Sequence, residues 1–418
     1  NGTNNGATIN TSAYGGNSPF LPRVVDQADP KDAVQLSTGS TSFDGTDDYI
    51  SIGDTNDLSF GDGSDDSAFS VSAWVNPVDA SNFQIAFKDT EWQFYLNNSD
   101  KVALFLEDES SGAYEYSVDG GSAITQNVWT HVACTYNGVG GGSANAGIKL
   151  YVNGAEASSY STGDSGSYVA MENSANAVTI GKQSTNFSQG KMANVGIWNK
   201  ELSLSEIQSI MFAEQYAGLS DTSNLVSWYD LGTESSGSEL ITNGTMESNS
   251  GWGNSANAPA SQGRSSEQAK AGTYSWKFVT DGSTSQGGIK NTTGFTTVTG
   301  KAYRLNYWIY NVGANSHNLK ISDGAGSGSI SGYSNKWMSS GQTNGQWNEI
   351  TVDYIESSGG SSGYIEINGP STSNTWYIDQ VSIKQIYAED SKGSNDGTIT
   401  GATTTTSYNA SPKGVADP

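Results

Sequence analysis

The sequence has a single cysteine, Cys134, which excludes an intrachain disulfide. It has two histidines, His131 and His317, too few for a metal site built from several histidines. Basic residues are also scarce: 19 Lys and Arg stand against 43 Asp and Glu, and the net charge is −24. Such a charge repels phosphates, so nucleic acids and anionic membranes are not expected partners. No apolar run is long enough to span a bilayer, so membrane insertion is not expected either.

Turn-forming and strand-forming residues are abundant. The chain contains 51 Gly against 8 Pro, and 11% of its residues are aromatic. Apolar and polar residues alternate in many short segments, for example at 69–75 and 303–309, and this period is typical of strands in β-sandwiches. The predicted fold class is therefore all-β: two β-sandwich jelly rolls with polar terminal segments. One short helix is expected where Ser203 and Glu206 form a capping box.

The pattern divides the chain into five parts. We predict a polar N-terminal segment at 1–40, a first sandwich at 41–231, a linker at 232–239, a second sandwich at 240–386 and a polar tail at 387–418. The tail repeats the beginning of the chain, since 392–398 matches 1–7 and 416–418 matches 28–30. A true repeat predicts that another sandwich would begin here, although stretches rich in Gly, Asn and Thr also match by chance.

Residues 41–217 resemble the laminin-G-like, concanavalin-A-like jelly roll. The segments that carry the resemblance are Ser-Phe-Asp-Gly-Thr-Asp-Asp-Tyr-Ile at 42–50, Phe-Ser-Val-Ser-Ala-Trp-Val at 69–75, Trp-Thr-His-Val-Ala at 129–133, Leu-Tyr-Val-Asn-Gly at 150–154, Ile-Gly at 180–181 and Gly-Lys-Met-Ala-Asn-Val-Gly-Ile-Trp at 190–198. The family usually has Asp in the strand before the helix, where this chain has Asn194.

Residues 240–386 resemble carbohydrate-binding modules of the xylanase and cellulase type. The matching segments include Leu-Ile-Thr-Asn-Gly-Thr-Met-Glu at 240–247, Ala-Gly-Thr-Tyr-Ser-Trp at 271–276, Tyr-Arg-Leu-Asn-Tyr-Trp at 303–308 and Tyr-Ile-Asp-Gln-Val-Ser-Ile at 377–383. The laminin-G-like family also opens with a strand similar to 225–231 and a turn similar to 390–398, which here flank the second domain. The resemblance thus implies an insertion, an arrangement similar to surface and tail proteins of marine phages and bacteria.

Two candidate calcium sites follow. Asp44, Asp47 and Asp48 share one turn, and oxygen-only clusters suit Ca²⁺, although an Asx turn is the structural alternative. In the second domain, Asp379 alternates with apolar residues and is expected to point inward, where a carboxylate needs a partner. The resemblance implies that Asp379 and Glu247 ligate a structural Ca²⁺, with carbonyls near Lys270 and Gly272. A hydrogen-bonded Asp at a strand crossing is the alternative.

A sugar-binding platform is a further expectation. Flat rings stack on the apolar face of pyranoses, while neighbouring polar groups bind hydroxyls. The alternative is that most of these rings pack in the core. The candidate rings are Trp252, Trp308, Tyr310, Trp337 and Trp347, accompanied by Arg304 and Asn306.

The sequence gives no sign of catalysis. A Glu-x-Asp-x-x-Glu strand of the glucanase type is absent, and so is any nucleotide-binding fingerprint. The leading hypothesis is a non-catalytic structural or interaction protein of an extracellular fibre, surface layer or virion appendage. The alternative is a calcium-dependent glycan-binding lectin or adhesin.

The expected partners are copies of the chain itself, other surface subunits and glycans. The segments 225–231 and 387–418 lead to two hypotheses, because an incomplete sheet leaves unpaired backbone groups. They either complete the first sandwich internally or pair head to tail with the next copy.

Overall fold

The computed structural model describes residues 39–213, 216–232, 234–282, 287–313, 316–322, 336–338, 342–357 and 359–405. Within them, short antiparallel strands dominate and form two sandwiches, which confirms the predicted all-β class. The strands of the first sandwich that precede the second are β1 (Ser40–Asp44), β2 (Tyr49–Gly53), β3 (Phe69–Asp79), β4 (Gln84–Lys88), β5 (Trp92–Leu96), β6 (Val102–Asp108), β7 (Ala113–Asp119), β8 (Thr130–Tyr136), β9 (Ile148–Val152), β10 (Ala155–Glu156), β11 (Tyr160–Ser165), β12 (Val178–Ile180), β13 (Lys182–Gln183), β14 (Asn186–Phe187), β15 (Gln189–Trp198) and β16 (Leu225–Tyr229).

The second sandwich follows, and two strands come after it. The strands of the second sandwich are β17 (Ser235–Ser236), β18 (Trp252–Asn254), β19 (Ser261–Ser265), β20 (Ser275–Asp281), β21 (Gly288–Asn291), β22 (Phe295–Thr297), β23 (Ala302–Asn311), β24 (His317–Ile321), β25 (Lys336–Met338), β26 (Trp347–Ile355), β27 (Gly360–Gly363), β28 (Ile365–Asn368) and β29 (Ser373–Tyr387). The last two strands are β30 (Thr398–Thr400) and β31 (Thr403–Thr405).

The first sandwich consists of two sheets with one apolar core between them. One sheet has the order β10-β9-β8-β3-β15-β1-β31, with β16 also paired to β15, and the other has the order β11-β7-β6-β5-β4-β12-β2-β30. Alternation places Phe69, Val71 and Ala73 of β3 in the core, where the rings of Phe60 and Phe69 stack at 4.4 Å. Burial of this apolar surface is the main stabilising contribution.

A helix, α1 (Leu204–Met211), packs on the outside of this sandwich. The predicted capping box is confirmed: the Ser203 hydroxyl accepts from the Glu206 N–H, and the Glu206 carboxylate accepts from the Ser203 N–H at 2.8 Å. The buried face of the helix, Ile207 and Ile210, forms a small second core with Trp198 and other residues of the β15–β16 pair. Among the described residues, 3₁₀ turns also occur at Asn56–Leu58, Gly141–Gly147 and Tyr216–Gly218.

The strands that flank the second sandwich complete the first one. β16 pairs with β15, β30 pairs with β2, and β31 pairs with β1. Ile399 and Ala402 are buried in the first core. The internal alternative is therefore what these strands adopt, and the part of the predicted tail that the structure describes contributes to both sheets. These pairings provide partners for backbone N–H and C=O groups of β1, β2 and β15 that would otherwise be unpaired at a sheet edge.

The second sandwich is thus inserted between β16 and β30. Its sheets have the orders β19-β20-β29-β23-β26, with β17 paired to β29, and β18-β21-β28-β24-β25. Its entry and exit lie side by side, since Ser235 pairs with Tyr387. The predicted repeat at 1–7 and the matching segments at 28–30 and 416–418 lie outside the described residues. Within the described ranges, we find no helix with the length and apolar character that crossing a membrane requires.

Candidate functional site

Most of the predicted aromatic residues lie on the outer face of the β20-β29-β23-β26 sheet. Tyr310 on β23 is paired with Trp347 on β26, and their ring centroids are 5.8 Å apart. On its other side, Tyr310 is paired with Tyr377 on β29, also at 5.8 Å. Trp308 lies two residues before Tyr310 and therefore shares this face. The structure brings together three of the predicted rings and adds Tyr377.

Trp252 does not belong to this face, which corrects the expectation for it. Its side chain is 4% exposed and forms part of the core of the second sandwich. Its indole N–H donates to the carbonyl of Asn243 at 3.1 Å. The ring fills the core beneath the 240–250 loop, so it cannot stack on a sugar.

The polar residues predicted to accompany the rings are bonded within the protein. Arg304 donates to Asp353 at 2.7 and 2.6 Å and to Glu234 at 2.6 Å. Asn306 accepts a hydrogen bond from the Thr351 hydroxyl at 2.5 Å. A sugar that used the Asn306 oxygen, or the Arg304 N–H groups already bonded, would compete with these contacts.

Asp379 also lies on this outer face, because β29 contains a bulge. The pairing passes from Asn306–Ser382 to Trp308–Asp379, so β29 has one more residue than β23 in this interval. The backbone of Gln380, with φ of 52°, accommodates the additional residue. A bulge reverses the phase of alternation, so the expectation that Asp379 points into the core is corrected.

Asp379 is nonetheless fully buried, because the loop 270–274 covers it. Its Oδ2 atom accepts from the N–H groups of Lys270 at 2.8 Å and Ala271 at 3.2 Å. The ammonium of Lys270 lies 3.5 Å from the ring centroid of Trp308 and covers that ring. Burial raises the pKa of Asp379, while the backbone N–H groups oppose the rise.

Glu247 holds the other end of the same loop. Its Oε1 atom accepts from the N–H groups of Thr273 at 2.8 Å and Tyr274 at 3.0 Å. The hydrogen bonds from Tyr274 and then Thr273 lower the pKa of Glu247. The two carboxylates therefore bind one loop from two sides.

This arrangement does not fit the calcium site that the resemblance implies. Carbonyl oxygens were expected near Lys270 and Gly272, whereas the loop directs N–H groups toward both carboxylates. The remaining Asp379 oxygen, Oδ1, accepts from the Gln380 N–H at 2.8 Å. N–H dipoles that point at three of these four oxygens repel a cation, and each of the three already accepts a hydrogen bond. Hydrogen bonds thus make the connection that had been attributed to calcium.

The acidic turn of the first sandwich fits a cation better. One carboxylate oxygen each from Asp44, Asp47 and Asp48 lies within 4.8 Å of the others. The turn is also an Asx turn, since the Asp44 carboxylate accepts from the Thr46 N–H at 2.7 Å. Gly401, with φ of 69°, packs on the Asp48 carboxylate, where a Cβ would overlap an oxygen. The Asx turn is therefore present, whereas calcium binding at this turn stays a prediction.

The two histidines are core residues. Burial lowers the pKa of His131 to about 3 and that of His317 to about 4, so both are neutral at physiological pH. His317 shares a 2.5 Å hydrogen bond with the hydroxyl of Tyr307. Cys134 is also buried, which raises the pKa of its thiol.

The other sheet of the second sandwich carries a surface that we call the polar face. It consists of Lys290 on β21, Asn318 and Lys320 on β24, and Tyr364, Glu366 and Asn368 at β28. Its residues alternate with core residues such as Leu319 and Ile367, so they project away from the core. Cross-strand pairs join Asn318 to Asn368, and Glu366 to both Lys290 and Lys320.

The asparagines of the polar face have hydrogen-bonding capacity to spare. Asn318 is 1% and Asn368 8% exposed. Asn318 Nδ2 and Asn368 Oδ1 have no hydrogen-bond partner among the described residues. A buried amide without a partner costs about 1–3 kcal/mol, so a ligand that supplies one gains affinity. Trp337 on β25 is paired with Asn318 and is 41% exposed, which places a free aromatic ring beside these amides.

Sequence reasoning missed all residues of the polar face and identified only the neighbouring Trp337. The pattern that could have revealed it is Asn-Leu-Lys-Ile at 318–321 and Ile-Glu-Ile-Asn at 365–368. In both, polar residues with long or amide side chains alternate with Leu and Ile of a central strand. Such alternation shows which residues share a face, but not that their hydrogen bonds are unsatisfied.

One family model matches the first sandwich. Residues 44–208 match the family model Laminin_G_3, described as the Concanavalin A-like lectin/glucanases superfamily. The first sandwich is thus a laminin-G-like jelly roll of the concanavalin A-like class, as the resemblance implied. No curated protein matches the chain.

Several solved structures are similar to parts of the chain. The CBM22-1 xylan-binding domain of Paenibacillus barcinonensis Xyn10C is 14% identical, with 36% of this chain and 95% of that chain covered and a TM-score of 0.27. A SAP-like pentraxin from Limulus polyphemus is 16% identical over 43% of this chain and 84% of that one, with a TM-score of 0.29. The enzymatically active domain of bacteriophage CBA120 tailspike protein 4 is 14% identical over 35% and 21%, with a TM-score of 0.29.

Proposed function

We propose that the protein is a non-catalytic glycan-binding protein and that the polar face of the second sandwich, with Trp337, binds the glycan. The observation that carries the proposal is the pairing of exposed Trp337 with Asn318, whose amide is buried and unsatisfied. An aromatic ring stacks on the apolar face of a pyranose, and amides bind its hydroxyls. The two are adjacent across one strand pair, within reach of a single sugar ring.

The outer face of the opposite sheet is the weaker candidate. Its rings contact one another or lie under Lys270, and Arg304 is held by Asp353 and Glu234. A sugar there would replace contacts that the protein already makes, whereas on the polar face it adds contacts. The geometry therefore favours the polar face over the predicted platform.

Glycan binding outside the cell agrees with the other features of the chain. We propose an extracellular or virion-surface location and a role in attachment, supported by the acidic surface and the two lectin-like β-sandwiches. We also propose that the acidic turn of Asp44, Asp47 and Asp48 binds calcium, supported by the convergence of their oxygens. Both proposals are independent of the glycan site.

The test is a glycan array followed by titration of each hit. Trp337→Ala and Asn318→Ala should each weaken binding about fivefold, since stacking and one hydrogen bond contribute roughly 1 kcal/mol apiece. Trp347→Ala is the matched control on the opposite sheet and should leave affinity unchanged. If Trp347→Ala abolishes binding and Trp337→Ala does not, the glycan binds the other face and the site assignment fails. An array without hits would refute glycan binding itself.

A further inference from the structure

The polar face carries two lysines, Lys290 on β21 and Lys320 on β24. Several surface lysines lie within 4.0 Å of a carboxylate: Lys149 with Glu201, Lys200 with Glu206, and Lys277 with Glu267. Lys290 and Lys320 form no such ion pair with any residue that the structure describes. Lys101, Lys182 and Lys191 likewise form no ion pair with the described residues, but Lys290 and Lys320 differ in that they flank one strand on a single face.

One aromatic ring positions both lysines. The ammonium groups of Lys290 and Lys320 each lie 5.2 Å from the ring centroid of Tyr364. A hydrogen bond with the Tyr364 hydroxyl raises the pKa of Lys320 and favours its charged form. Two like charges near one ring repel each other, and an anion between them would relieve that repulsion.

Glu366 is the charged group that faces this pair. It lies on the strand between them, paired in register with Lys290 on one side and Lys320 on the other. Its side chain is buried, at 6% exposure, whereas both lysines are half-buried and reach further toward solvent. The three cross-strand neighbours Lys290, Glu366 and Lys320 therefore carry a net positive charge, and the two ammonium groups lie nearest the solvent.

We propose that the glycan bound by the polar face is anionic, and that Lys290 and Lys320 select it by binding a carboxylate of a uronic acid or a sulfate ester. This inference rests on the proposed function, because it takes the neutral contacts of Trp337, Asn318 and Asn368 as given. Those three groups bind the ring and hydroxyls common to many sugars. The lysines supply the part that distinguishes charged sugars from neutral ones.

The overall negative charge of the protein does not oppose this specificity at physiological salt. Charges more than about 8 Å away are screened at an ionic strength of ~0.15 M, whereas ammonium groups in contact with the ligand act within that length. Affinity for an anionic glycan should accordingly fall as salt rises from there, and affinity for a neutral glycan should not change.

The experiment compares three probes by titration calorimetry with the full chain: alginate hexasaccharide, a sulfated carrageenan hexasaccharide and neutral xylohexaose. The variants are Lys290→Gln with Lys320→Gln, and Lys384→Gln as the control on the opposite sheet of the same domain. We expect the wild type to bind at least one anionic probe tenfold or more tightly than xylohexaose. The double variant should lose that advantage, and the control should keep it.

The two anionic probes tell carboxylate from sulfate recognition. Equal wild-type affinity for xylohexaose and both anionic probes would overturn the charge selectivity and leave the proposed glycan binding intact. An unchanged preference in the double variant would overturn the role of the lysines. Binding of none of the probes, together with an empty glycan array, would refute the proposed function and this inference together. Circular dichroism of each variant checks folding, and both lysines are exposed enough for glutamine to replace them without loss of core packing.

Discussion

The backbone N–H of Trp228 donates a 2.9 Å hydrogen bond to Asp390 Oδ1, although 162 residues separate the two in sequence. The same carboxylate accepts from the N–H groups of Lys392 at 3.1 Å and Asn395 at 3.3 Å. Asp390 is 3% exposed, so solvent does not substitute for these bonds. One side chain thus connects β16, which precedes the inserted domain in the sequence, to the segment that follows that domain.

Replacing Asp390 with Ala should destabilise the first sandwich by about 3 kcal/mol, since buried N–H groups lose their acceptor. Urea unfolding, followed by the fluorescence of the buried tryptophans, measures the change. Glu389→Ala is the neighbouring control, because Glu389 is exposed and, among the described residues, accepts a hydrogen bond only from the Ser235 hydroxyl, at 2.6 Å. A loss as large in the control as in Asp390→Ala would contradict the clamping role.

Removing the second domain should leave the first sandwich folded. Ser235 and Tyr387 are Cα partners on adjacent strands, so Glu234 can be joined to Ala388 through two glycines. Deleting residues 398–405 from the full chain should instead destabilise the first sandwich by roughly 3 kcal/mol or more, because Ile399 leaves the core. Calorimetry of both variants tests this. The interpretation would be wrong if the variant without the second domain unfolded while the variant without residues 398–405 kept normal stability. That result would mean that the second domain, and not the strands 398–405, completes the first sandwich.

The two carboxylates that hold the loop 270–274 should affect stability with opposite dependence on pH. Burial raises the pKa of Asp379, so its contribution is complete below pH about 3.9 and is lost as pH rises through the raised native value. Hydrogen bonds lower the pKa of Glu247, so its contribution is present above pH about 4.3 and is lost as pH falls through the lowered value. Unfolding of the second domain at pH 3 to 7 in Asp379→Asn and Glu247→Gln measures both, and slopes of the same sign would disprove the assignment.

Calcium should stabilise the first sandwich and leave the second unaffected. We expect a higher melting temperature of the first transition with calcium than with chelator, because the cation relieves repulsion among Asp44, Asp47 and Asp48. Asp47→Asn should remove the difference, and Asp57→Asn, an exposed acidic residue nearby, should not. A calcium-dependent shift of the second transition would instead support the Glu247–Asp379 site that the resemblance implied.

Period-two alternation was sufficient to predict the sandwiches, because a residue's place in a strand determines which side it faces. It failed at Asp379, because a bulge at Gln380 depends on the 240–250 loop that packs there: Val381 donates to the carbonyl of Gly244 at 2.8 Å. No local pattern in β29 encodes that contact. The prediction that Trp252 belongs to a sugar-binding surface was wrong for a related reason, since composition does not distinguish an aromatic ring in the core from one on the surface.

The candidate site was less predictable than the fold. Whether Asn318 has a free amide depends on its neighbours across the sheet, which come from residues far away in sequence. The same holds for Tyr364, which meets Lys290 and Lys320 from two other strands. Polar contacts of this kind follow from register, and register is fixed only when the sheet has assembled.

The pairing of Tyr49 with Thr400 has a consequence for how the molecule is made. Contacts between residues so far apart in sequence close slowly, because the intervening chain must be ordered first. During synthesis on a ribosome, β1 and β2 are made early, whereas their partners β31 and β30 are made only after the whole second domain. The inserted domain, whose strands are close in sequence, can fold during that interval and bring its two ends together. Its rapid folding would then shorten the loop that the first sandwich has to close.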